Sequence, residues 1–113
     1  MTANSEIILS GQTHPGDSSI ATVVGSAFKG DGYYGRSDGL HTVQYTFTDL
    51  IGTITIQGTL VLEPVEEDWF SVHSYSATSE TATKIANFTG NYVFIRAVVT
   101  YTHGSVENIK LNH

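Results

Sequence analysis

Residues of two kinds alternate along much of this chain with a period of two. In His41-Thr42-Val43-Gln44-Tyr45-Thr46-Phe47-Thr48 the bulkier side chains take every other position, and Thr53-Ile54-Thr55-Ile56-Gln57-Gly58-Thr59-Leu60 repeats the pattern. Successive side chains on a strand point to opposite faces, so strict alternation predicts strands with one face buried. Between the two runs, Asp49-Leu50-Ile51-Gly52 reads as a hairpin connection. Tyr92 to Thr102 carries apolar groups at both parities, which predicts a central strand or one covered by a partner. Val106 and Ile109 fall on opposite parities, so the last strand, Val106 to Asn112, needs a bulge near Asn108. Shorter strands are predicted at Ile20–Ser26, Trp69–Tyr75 and Thr81–Phe88, with a single helical turn over Pro64–Asp68. Residues 1–19 read either as an extended arm or, at Ile7–Leu9, as an edge strand.

Turn-forming clusters at His14-Pro15-Gly16-Asp17, Gly30-Asp31-Gly32, Ser37-Asp38-Gly39 and Phe88-Thr89-Gly90-Asn91 separate these runs. About eight short strands so punctuated predict an all-β domain: a two-sheet antiparallel β-sandwich of jelly-roll or immunoglobulin-like form. At 113 residues the chain is the size of one domain. With 40% hydrophobic residues it should bury roughly 65% of its unfolded surface without disulfides, and it has no cysteine.

Charge narrows the partners. Eleven acidic residues against five basic ones give a net charge of −6. The cations Lys29, Arg36, Lys84, Arg96 and Lys110 are spread singly, whereas nucleic acid and anionic membranes require clusters. Neither is an expected partner. The first ten residues lack the basic region and apolar run of a signal peptide, and no stretch approaches the roughly 20 apolar residues of a spanning helix.

Candidate chemistry is sparse. His14, His41, His73, His103 and His113 are scattered without ligand spacing and read as loop or strand-surface residues. Glu66-Glu67-Asp68 reads as a solvated acidic loop rather than a pair of catalytic carboxylates. Asp31 and Asp38 lack the dense acidic repeat of a calcium loop. No Gly-x-Ser-x-Gly turn or phosphate-cradling motif occurs, so no enzyme, cofactor or metal is expected. Aromatic side chains remain. Tyr33 and Tyr34, flanked by glycines, suit contact with a subunit or a glycan, and Trp69 suits either the core or a sugar platform. Arg96, set among apolar neighbours, is expected to pair with a carboxylate.

A resemblance rests on Gly52 to Leu60, then Pro64 and Glu67-Asp68-Trp69-Phe70, then Phe88-Thr89-Gly90-Asn91-Tyr92-Val93-Phe94-Ile95-Arg96-Ala97. It closes on Gly104-Ser105-Val106 and Ile109 to His113, with Gly32-Tyr33-Tyr34-Gly35 and Ser37 to Gln44 upstream. This pattern resembles small β-sandwich virion structural proteins of tailed bacteriophages, of the marine contractile-tailed type. The resemblance implies a decoration, connector or tail component of a virion, assembled in the host cytoplasm. Its partners would be other virion proteins and copies of itself, a trimer among the options. It transfers no catalytic residue. The alternative function is a carbohydrate-binding β-sandwich module using Tyr33, Tyr34 and Trp69.

Overall fold

The computed structural model describes residues 5–15, 19–30, 40–90 and 92–112. Among the described residues eight strands form one antiparallel sheet: β1 (Ser5–Leu9), β2 (Gln12–Thr13), β3 (Ala21–Val24), β4 (Phe28–Lys29), β5 (Leu40–Thr59), β6 (Phe70–Thr89), β7 (Phe94–Val106) and β8 (Ile109–Asn112). The 20-residue β5 is the spine. β6 lies along one of its edges from end to end. Its other edge is shared, Thr42–Gln44 pairing with β8 and Phe47–Thr59 with β7. β1 adds outside β8, while β2, β3 and β4 add outside β7.

A straight strand of 20 residues would span about 65 Å at about 3.3 Å per residue. The longest dimension of the molecule is 44 Å. β5 is therefore bent, and its two ends converge on one side chain. The His41 ring lies 5.9 Å from that of Tyr92, and a Cβ on Gly58 would sit 2.9 Å from the same tyrosine's ring. The sheet folds on itself across this bend and becomes a β-sandwich.

The bend is written into three neighbouring strands at one level. Along β5 the buried residues are His41, Val43, Tyr45 and Phe47, then Leu50, Ile54, Ile56 and Gly58, with Thr59 also buried at the strand's end, so the buried parity shifts at Asp49, whose φ is 49°. β6 shifts beside it, where Ser79 has φ 53°. β7 buries Ile95, Ala97, Val99 and Tyr101, then Val106, shifting at Gly104 with φ 97°. One extra residue re-aims a strand while keeping its apolar side on the same face. A Cβ at Gly104 would stand 2.4 Å from the Asp49 carbonyl oxygen, so the bend demands glycine there. The dry interior is filled from all sides, by Ile8, Leu9, Ile109 and Leu111 as well as the residues above.

Several expectations change. Residues 41–48 and 53–60 do not form a hairpin; they are the two halves of β5. The same holds for 69–75 and 81–88, which merge into β6. Asp49–Gly52 bends the chain without reversing it because β6 offers a partner on both sides of the bend. Of the two readings of the N-terminal segment, the edge strand at Ile7–Leu9 is present as β1, and β1 and β2 hydrogen-bond into the sheet, with Ile8 and Leu9 in the core. The irregularity expected near Asn108 is a break between β7 and β8. The helical turn is present at Glu66–Asp68.

Candidate functional site

The break between β7 and β8 opens a hollow. β5 exchanges one partner strand for the other around Thr46, whose carbonyl accepts from the Glu107 amide at 2.8 Å. Across the gap, the Gly11 amide donates to Asn108 Oδ1 at 2.7 Å, holding the link between β1 and β2 in place. The result is a cleft of about 450 Å³, bordered by Gln12, Thr13, Gln44, Thr46, Ser105, Glu107, Asn108 and Lys110. Ligand clefts run from roughly 300 to 1,000 Å³, so the size is apt for a small molecule or part of a chain. Its rim offers amides, hydroxyls, one carboxylate and one ammonium. The two charges oppose one another in a protein that carries −6 overall. Such a set hydrogen-bonds a neutral polar ligand and gives little purchase to an ion.

Rows of hydroxyls run across the outer face on both sides of the bend. Register places Thr22, Thr100, Thr53 and Ser76 in one row across β3, β7, β5 and β6. Hydroxyl contacts link Thr22 to Thr100 at 3.5 Å and Thr53 to Ser76 at 3.2 Å. On the next half of the sheet, Thr46 meets Thr83 at 2.9 Å and Thr42 donates to Asn87 at 2.6 Å.

Arg96 organises a different region. It lies on the outer face of β7, only 7% exposed, with its guanidinium 4.3 Å from the Trp69 ring centre. Nη1 and Nη2 donate to the Glu66 carboxylate at 3.1 and 2.7 Å, and Nε donates to Gln57 Oε1 at 2.7 Å. A planar fork meeting a carboxylate and an aromatic face is arginine's particular strength. The hydrogen bonds from Arg96 hold Glu66 below the usual carboxylate range, although the glutamate itself faces water. The carboxylate partner expected for Arg96 is thus Glu66, and Trp69 is half-buried rather than core, with its ring against the arginine. This also explains the apolar outer face of β7, part of which is covered from within the chain.

Tyr33 and Tyr34 lie outside the described residues, as do Asp31 and Asp38. Among the histidines, His14 and His41 are buried rather than on the surface. His14 sets its ring edge-on to Tyr101 at 5.1 Å, and His41 stacks on Phe88 at 5.2 Å. His73 Nε2 and the Tyr45 hydroxyl share a hydrogen bond at 2.9 Å, and burial lowers the pKa of His73 while raising that of Tyr45. No group of three His, Cys, Asp or Glu among the described residues could hold a metal ion. Sequence reasoning missed the cleft. Its one visible signal was the parity conflict between Val106 and Ile109, which marks the strand break that opens it.

No protein-family model and no curated protein sequence matches the chain. Solved structures do. PirA superposes with a TM-score of 0.53 at 14% identity, covering 99% of this chain and 94% of PirA. The K1 cleaved adhesin domain of Lys-gingipain from Porphyromonas gingivalis W83 gives 0.51 at 6% identity, covering 90% and 81%. A family 29 carbohydrate-binding module from Piromyces equi gives 0.47 at 11% identity, covering 100% and 93%, a score too low to bear on function. At these identities the likeness is one of fold: an all-β, eight-stranded antiparallel β-sandwich.

Proposed function

We propose that this domain is a non-catalytic recognition module that binds a neutral glycan in the cleft between β2, β5, β7 and β8. The observation that carries the reading is the lining of that cleft: amides and hydroxyls around a single opposed pair of charges. Saccharide hydroxyls each donate and accept, and planar side-chain amides can answer both roles at once. Gln12 and Gln44 are the residues assigned to that task, with Thr13 and Ser105 alongside. Sharing a fold with an adhesin domain fixes no ligand, so the reading stands on the cleft.

Isothermal titration with a panel of neutral oligosaccharides tests it. Binding in the micromolar to millimolar range is expected, and Gln44→Ala should weaken it about fivefold to tenfold, the loss of one hydrogen bond. If no neutral saccharide binds, or if Gln44→Ala and Gln12→Ala both leave affinity unchanged, the reading fails.

A second reading, a virion structural protein that acts by assembly, is favoured by the outer edge of β6. Among the described residues, Phe70–Thr89 pairs on one side only. A long unpaired edge is a template for another strand. Its middle is guarded by the Lys84–Glu80 pair at 3.6 Å and the irregular Ser79, which leaves the two flanks as contact segments. Sedimentation should then show a concentration-dependent oligomer, and Val72→Pro on this edge should dissociate it. A strict monomer at high concentration would contradict this reading.

A further inference from the structure

The loop joining β5 to β6 presents aliphatic side chains to water: Leu60 is 65% exposed, Leu62 70% and Val65 63%. Such exposure of several large apolar residues in one short segment marks a contact surface. The segment is also held in shape. The Val65 amide donates to Asp68 Oδ2 at 2.9 Å, the Asp68 amide returns to the Val65 carbonyl at 3.0 Å, and Arg96 grips Glu66 from below. A pre-shaped apolar tip loses less entropy on binding than a floppy one.

The charges around the tip say what it meets. Glu63, Glu66, Glu67 and Asp68 fall within six residues, no lysine or arginine occurs between Arg36 and Lys84, and the sheet register adds only Lys29, two strands across from Thr59, and Arg96 at the base of the loop. Arg96 is already engaged by Glu66. A second copy meeting it tip to tip would therefore bring carboxylates against carboxylates, and an anionic membrane would repel the tip. We infer that the Leu60–Val65 loop docks into an apolar groove of a different protein, flanked by lysine or arginine side chains that face Glu63 and Glu67. Opposite charges across the rim fix orientation, and the leucines supply the contact area. The inference is independent of the glycan reading, because the two surfaces share no residue.

Two synthetic probes test it on the intact chain: a Leu/Lys amphipathic peptide and its Leu/Glu counterpart, titrated with backbone amide shifts recorded. The Leu/Lys peptide is expected to bind, moving amides of residues 60–70 and weakening as salt rises. The exposed Leu60→Ser/Leu62→Ser double variant should lose about tenfold in affinity. Glu63→Gln/Glu67→Gln should lose less and should flatten the salt dependence. The inference is overturned if both peptides bind alike, if the leucine variant binds unchanged, or if the shifts map elsewhere. It is equally overturned if the protein binds phosphatidylcholine vesicles through this loop, or if Leu62→Ser abolishes a self-association.

Discussion

The cleft and the Leu60–Val65 loop are both exposed, yet they are built in opposite ways. The cleft is mainly a product of backbone: β7 stops at Val106, β8 starts at Ile109, and the Glu107–Thr46 main-chain bond holds the gap, with the Asn108 side chain accepting from the Gly11 amide. The loop hangs on one side chain, Arg96, through Glu66 and Trp69. The cleft is close to neutral and hydrogen-bonding, while the loop is apolar and acidic. One sandwich thus carries two recognition chemistries, and each arises where regular pairing ends. The difference teaches that a surface made by strand geometry resists single side-chain changes, and one made by a clamp does not.

Breaking the backbone device should cost most. Gly104 sits at the bend beside the cleft, where a Cβ would overlap the Asp49 carbonyl. Gly104→Ala is expected to destabilise the fold by about 3 kcal/mol, measured by chemical denaturation, because neither backbone can yield cheaply. Breaking the clamp should cost less and stay local. Arg96→Ala removes charge-assisted hydrogen bonds and the contact with Trp69, a loss of about 2 kcal/mol. Hydrogen exchange should rise across residues 60–69 while the cleft amides keep their protection. If the cleft amides loosen equally, the two regions are not independent.

Acid should sharpen the contrast. Glu66 is held low by Arg96, so its contribution is complete above the ordinary glutamate value of 4.5 and is lost as pH falls through the lowered one. Loop protection should fall over that acid range, and Glu66→Gln should make it independent of pH. A smaller effect belongs to the interior. Burial depresses His73, so the folded state resists its protonation, and stability should decline as pH drops from above 6.5 toward the lowered value. His73→Gln should flatten that slope in thermal melts.

Much of this architecture is legible in the chain. Alternation at 41–48 and 53–57 correctly assigns each residue's face, and even the parity change at Asp49 is visible, but at the strand's end the pattern fails: Thr59 is buried and Leu60 faces water. What the pattern cannot say is whether a chain that changes parity turns back or bends onward. That choice depends on β6, which pairs with both halves of β5 and is more than ten residues away in sequence. The Arg96–Glu66 pair was half legible: a buried cation in a strand demands a carboxylate, but the partner lies 30 positions distant. The core option for Trp69 fails because bulk alone does not distinguish a core ring from a half-buried one that covers an arginine. The cleft was hidden for a related reason. Its lining comes from three separate stretches of ordinary polar residues, none of which forms a motif.

The most direct test of the glycan assignment is an amide-shift map recorded with a neutral oligosaccharide that binds. Perturbations should cluster at residues 11–13, 44–46 and 105–110 and leave 60–70 unmoved. Shifts confined to the 60–70 loop, or none at saturating sugar, would contradict the account.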